Sequence, residues 1–106
     1  MFNEEEKFIS IIKPIKLIGD PWVLLIIKAL MEGPKRFNQI SKELDGITNR
    51  SLSLKLKHLA AQGVLERQVD PSTNPPQVIY YLTPLGKGVE PILKSIEEFG
   101  DKFFCE

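Results

Sequence analysis

The sequence predicts a mainly helical α+β fold, and three observations in its 106 residues carry that expectation. A short amphipathic segment, FNQISKEL, is followed by the break DGI and by a longer amphipathic segment, TNRSLSLKLKHLAAQ, ending at Gly63. Two β-like runs follow, VLERQV and VIYYLT, separated by DPSTNPPQ. Apolar stripes at helical spacing mark both ends of the chain. Helix, tight turn, helix, β-hairpin is the order of a winged helix-turn-helix, here with a two- or three-stranded wing. The chain is read as a single domain spanning 1–106, with the helix-turn-helix at 37–62 and the wing hairpin at 64–83. Terminal helices at 1–18 and 88–104 are expected to form a dimer interface.

The first helix is expected over Glu4–Ile18, where Phe8, Ile11, Ile12 and Ile15 form one stripe. Glu4, Glu5 and Glu6 suit the positive end of its dipole. Pro14 should kink or split it, and Gly19 stops it. Asp20 caps a second helix with Pro21 at its first position, where proline loses no intrahelical bond. Trp22 to Met31 is apolar nearly all round, which places this helix at the centre of the core. Gly33-Pro34 ends it, and Lys35-Arg36-Phe37 reads as a short extended piece lying against the later hairpin.

The third helix, about Asn38 to Leu44, should turn Phe37, Ile40 and Leu44 inward. Asp45-Gly46 is a turn signal, Ile47 an apolar plug, and Thr48 the N-cap of the fourth helix. On that helix Leu52, Leu56, Leu59 and Gly63 share one side. Arg50, Leu54, Lys57 and Ala61 share the opposite side, flanked by Ser53 and His58. Gly63 ends it. After the hairpin, Thr83-Pro84 opens a last segment in which Val89, Ile92, Leu93, Ile96, Phe99, Phe103 and Phe104 make a helical stripe. Both terminal helices carry more apolar surface than one small domain buries, which favours a homodimer.

Lysine plus arginine equals aspartate plus glutamate, so net charge alone argues nothing about nucleic acid. The distribution is more informative. From Lys35 to Arg67 there are seven basic residues against three acidic ones, and the segments on either side are net acidic. A basic helix face is also an ordinary solvated surface, so it is the order of the elements that gives the charge its meaning. A helix fits the major groove, where Arg50 can donate two bonds to guanine and Asn49 can pair with adenine. Thr48, Ser51 and Ser53 carry short hydroxyls suited to phosphates or bases, and Lys57 can reach the backbone. Lys35, Arg36 and Arg67 are the remaining phosphate candidates, about two of the three being expected to touch DNA. Leu54 reads as an ordinary exposed leucine, and Lys55 as a solvated charge or peripheral phosphate contact. The DPSTNPPQ segment at the wing's tip has no lysine or arginine.

Enzymatic readings have no support. His58 is the one histidine and Cys105 the one cysteine. No zinc-like ligand set, nucleophile–base device or Gly-rich phosphate loop is present in the sequence, so no metal, cofactor or catalytic residue is expected. The acidic start MFNEEEK does not resemble a signal peptide, and the longest apolar run, Trp22 to Ile27, is too short to cross a bilayer. A single cysteine excludes an internal disulfide and fits a reducing compartment. A cytoplasmic location is therefore expected. The rival to DNA binding is a winged-helix module that binds protein, with Leu54 as an anchor; the neutral total charge and a wing segment, DPSTNPPQ, without lysine or arginine speak for it.

Taken together, LIGDPWVLLIIKAL, EGPKRFNQISKELDGITNRSLSLKLKHLAAQGVLER and PPQVIYYLTPLGKGVEPIL resemble the HxlR-type branch of the MarR-like winged-helix transcription regulators. The resemblance covers about Leu17 to Gly100. It implies a homodimer, formed by the first and last helices, that regulates transcription from a partly palindromic operator on double-stranded DNA. It places Thr48, Asn49, Arg50, Ser53 and Lys57 at groove-facing positions. Two departures stand out. Many members carry an oxidant-sensing cysteine early in the first helix, where this chain has about Ile9, and Cys105 is no obvious substitute. Members usually have lysine or arginine before the tryptophan, where this chain has Pro21. A small-molecule effector is compatible with the resemblance, but its identity is not legible in the sequence.

Overall fold

The computed structural model describes residues 4–104, with the side chains of 4–7 and 9 left out of the description. Helix α1 (Glu4–Ile18) leads into α2 (Pro21–Leu30), strand β1 (Lys35–Arg36), α3 (Phe37–Glu43) and α4 (Asn49–Ala61). Strands β2 (Leu65–Asp70) and β3 (Gln77–Leu82) follow, then the short α5 (Pro84–Lys87) and the terminal α6 (Glu90–Phe103). The strands form one antiparallel sheet in the order β1-β3-β2, so the extended Lys35-Arg36 piece is the third strand of the wing. Pro14 does not split α1, which runs unbroken through it. The third helix starts at Phe37, one residue before its expected start.

The core forms around α2, as its composition requires. Val23, Ile26, Ile27, Ala29 and Leu30 are buried and meet Ile40 and Leu44 of the α3 segment, Leu52, Leu56 and Leu59 of α4, Val64 just before β2, and Leu65 and Leu82 from the sheet. Phe37, Ile47 and Trp22 pack against this cluster half-buried. Asp20 caps α2, its Oδ1 accepting from the backbone N–H of Trp22 at 2.7 Å and of Val23 at 3.2 Å. That satisfies two of the donors every helix start leaves open.

Helix α4 is bounded just as firmly. Thr48 Oγ1 accepts from the Ser51 N–H at 3.0 Å. At the other end Gly63 takes φ +77, and the N–H groups of Val64 and Gly63 bond back to the carbonyls of Leu59 and Ala60 at 3.0 and 3.1 Å. This left-handed stop closes the last turn and aims the chain into β2.

The two ends of the chain are built differently from the middle. Helix α6 docks on α2 through buried Leu93 and an ion pair from Lys28 to Glu97 at 2.5 Å. Ile92, Ile96, Phe99, Phe103 and Phe104 remain exposed. Helix α1 reaches the core through Leu17 and Ile18, while Phe8, Ile11, Ile12 and Ile15 face outward uncovered. Among the described residues no helix is long and apolar enough to cross a membrane, and no cluster of side chains could hold a metal ion.

Candidate nucleic-acid interface

Helix α4 presents two unlike sides. Leu52, Leu56 and Leu59 are sealed in the core, whereas Asn49, Arg50, Ser53, Leu54 and Lys57 are exposed. Arg50 and Lys57 lie seven residues apart, close to two full turns, so their side chains leave the same face. Neither makes an ion pair among the described residues, which leaves both cations available to a polyanion. Ser51 is half-buried, and Thr48 is exposed with its hydroxyl oxygen engaged as the cap.

Asn49 has a second task. Its Oδ1 accepts from Ser41 Oγ at 3.1 Å, linking the two helices of the motif. The amide nitrogen still points donors outward, which a base or phosphate can accept. The turn between these helices needs Gly46, at φ +99; a side chain there would be strained and would touch the Trp22 ring.

The sheet adds one cation to this face. Arg67 stands opposite Tyr80 in the register of β2 and β3. It lines a cleft of about 320 Å³ with Ser53, Leu56, Lys57, Ala60 and Tyr80. Ser53, Lys57 and Arg67 thus converge beside α4. Arg36 pairs with Ile79, on the other pleat of the sheet, and is exposed there. The wing tip is shaped by hydroxyls: Asp70 Oδ1 accepts from Ser72 N–H and Oγ at 2.9 and 2.6 Å, bonds that hold its carboxyl below the usual carboxylate range.

Two sequence-level assignments need correction. Lys35, expected at phosphate, is buried, and its ammonium donates to both carboxylate oxygens of Glu43 at 2.7 Å and to Glu32 at 3.2 Å. Burial alone would lower its pKa, but the bonds to Glu43 and Glu32 outweigh that and the net displacement is upward. A charge committed to two carboxylates is not available to DNA; Lys35 instead ties β1 to α3. Lys55, read as a solvated charge or peripheral contact, donates to Asp20 Oδ2 at 2.9 Å. The same carboxylate that caps α2 therefore holds α4. Asp20 and Lys55 are 35 residues apart, so no local pattern could have revealed the pair. Glu32 and Lys35, at a spacing of three, were closer to visible. The side chain of Ile9, and Cys105 altogether, lie outside the described residues.

A capped, core-backed helix whose outward cations have no ion pair among the described residues, set beside a three-stranded wing, is the architecture of a helix-turn-helix DNA-binding protein. The profile of the HxlR-like helix-turn-helix family matches residues 17–106. The HTH-type transcriptional regulator YodB of Bacillus subtilis is 40% identical over 90 residues, covering 85% of this chain and 79% of YodB. The solved reduced form of YodB superposes with a TM-score of 0.77 at 33% identity, covering 98% of this chain and 96% of that one. A MarR-family regulator from Porphyromonas gingivalis gives 0.85 at 31% identity, covering 98% of both chains. YodB has also been solved quinone-bound, with a TM-score of 0.76 at 33% identity over 89% of this chain and 97% of that one. The chain belongs to the HxlR-like helix-turn-helix family and is a DNA-binding transcriptional regulator.

Proposed function

We propose that the chain works in the cytoplasm as a homodimer, without enzymatic activity, and places one α4 in each half of a partly palindromic operator. Arg50 and Asn49 read base edges; Thr48, Ser51 and Ser53 meet bases or phosphates; Lys57, Arg67 and Arg36 meet phosphates. Lys35 is excluded by its carboxylate partners. The observation that carries this reading is the pairing of exposed Arg50 and Lys57, neither with an ion-pair partner among the described residues, with a fully buried Leu52–Leu56–Leu59 stripe on the same helix. The apolar faces left bare on α1 and α6 support the dimer, since monomers rarely leave such continuous patches in water. A two-fold dimer sets its recognition helices about one DNA turn, ~34 Å, apart.

Selection of bound duplexes from a random pool by the purified protein tests the reading. An inverted repeat with half-sites about one turn apart is expected, with affinity falling steeply as salt rises. Recovery of a single unrepeated site would refute the symmetric dimer. No retention of any duplex at low salt would favour a protein partner seated around exposed Leu54. Because YodB has a quinone-bound form, a small molecule that modulates this chain is part of the proposal. Residue 9 is isoleucine, so that response does not run through a thiol there.

A further inference from the structure

Leu54 is the apolar exception on the outward side of α4. It is 59% exposed, although the leucines two residues to either side, Leu52 and Leu56, are buried. At about 100° per residue it stands within roughly 20° of the direction opposite the buried Leu52–Leu56–Leu59 stripe, nearer to it than Arg50, Ser53 or Lys57. The helix is capped at Thr48 and held to the core by that stripe, so this direction is fixed. Arg50 lies about one turn before Leu54 and Lys57 about one turn after it, both exposed.

A helix seated in a groove with its core side outward presses the opposite side deepest. The side chain that meets the groove floor at the middle of α4 is therefore a leucine. A base edge beneath it loses water and gains no hydrogen bond in return, a cost for every polar group it covers. All four bases offer donors or acceptors in the major groove, and only thymine adds a methyl group. We propose that Leu54 is a specificity-determining residue that selects thymine by packing on this methyl. The selection deepens the regulator reading above and rests on α4 entering the major groove. Arg50 and Leu54 are four residues apart, about 6 Å along the helix axis, against a base step of about 3.4 Å. The selected thymine therefore lies within about two base steps of the base that Arg50 reads. The surroundings favour DNA over a protein as the partner of Leu54. A single leucine between two exposed cations makes no continuous apolar patch, unlike Ile92, Ile96, Phe99 and Phe103 on α6.

The test uses the full chain and the operator recovered by selection. Replacing thymine by 2′-deoxyuridine, one position at a time in both half-sites, removes a methyl group and leaves base pairing intact. Fluorescence anisotropy should show one position that loses about three- to fivefold in affinity per half-site, the scale of one buried methyl group. Cytosine at that position should bind more weakly still, and 5-methylcytosine should recover part of that loss. In Leu54→Ala the thymine and deoxyuridine operators should bind alike, while the preference at the base read by Arg50 remains. Leu54 is exposed, so the variant should keep the parent's circular dichroism and unfolding midpoint. A recovered operator without a preferred thymine, or equal affinity for thymine and deoxyuridine at every position, would overturn the proposal. So would a methyl effect that survives Leu54→Ala, because another side chain would then hold the methyl. A chain that binds its selected operator but ignores the methyl fails this proposal alone. A chain that retains no duplex fails the regulator reading and this one with it.

Discussion

Helices α4 and α6 are nearly equal in length, 13 and 14 residues, and both are amphipathic, yet the fold treats them oppositely. The apolar stripe of α4 disappears into the core, with Leu52, Leu56 and Leu59 at 0%, 1% and 0% exposure. The stripe of α6 is buried only at Leu93; Phe99 and Phe103 stay 56% and 62% exposed, their rings in tilted contact with centroids 5.1 Å apart. Helix α4 buries its whole apolar stripe within one chain and leaves its polar side to solvent. Helix α6 is incomplete within one chain and offers its apolar side. One surface is therefore suited to a polyanion and the other to a second apolar face, and the proposed function assigns recognition to the first and assembly to the second.

The sharpest way to break this contrast is inside the core. Leu56→Ala should cost about 2–5 kcal/mol of unfolding free energy, because the side chain is sealed between α2, α4 and the sheet. Urea denaturation measures it; a loss below that range would mean that the α4 stripe is not the support it looks to be. The opposite experiment targets α6. Phe99→Glu with Phe103→Glu should leave the secondary structure intact, since both rings are mostly solvent-facing in the single chain. It should dissociate the dimer, seen by sedimentation, and weaken operator binding with it. An unchanged sedimentation coefficient would remove α6 from the interface.

Sequence patterns made most of the fold legible because the deciding interactions are local. Asp20-Pro21, Thr48 and Gly63 are caps and stops whose chemistry acts within a few residues, and each bounds its helix as expected. The stripe on α4 likewise needs only helical spacing. What stayed hidden was the allocation of charge. Lys35, Lys55, Arg50 and Lys57 look alike in the sequence, but two are committed to carboxylates by the tertiary fold. Glu43 and Asp20 lie eight and 35 residues from their lysines, distances over which periodicity carries no information. Counting basic residues thus overstated the charge available to DNA.

Arg50 and Lys57 test the α4 side of the contrast in a graded way. Arg50→Ala should cost about 1–3 kcal/mol at the operator and relax base preference at one position of each half-site. Lys57→Ala should weaken operator and random duplexes alike and lower the salt slope by about one per affected contact. Fluorescence anisotropy at several salt concentrations separates the two patterns. If both variants weaken all sequences equally, Arg50 is a phosphate contact and base reading lies elsewhere on the helix.

The smallest effect concerns the carboxylate that joins the two helices. The bond from Lys55 holds the Asp20 carboxyl below its usual value of 3.8; burial opposes this, and the N–H groups of Val23 and Trp22 reinforce it. A depressed folded-state pKa means that the folded chain keeps the charge when the unfolded chain has taken up a proton. The stabilisation is therefore complete above 3.8 and is lost as the pH falls below that value toward the folded pKa. The Asp20 and Lys55 side chains are 42% and 24% exposed, so solvent screening keeps the contribution under about 1 kcal/mol. An asparagine side chain retains an oxygen for the cap while losing the charge, so Asp20→Asn isolates the ion pair from the helix start. The variant should be slightly less stable than the parent near neutral pH and indistinguishable from it once the parent's carboxylate is protonated. A difference that persists undiminished in acid would locate the effect in the cap rather than in the link to α4.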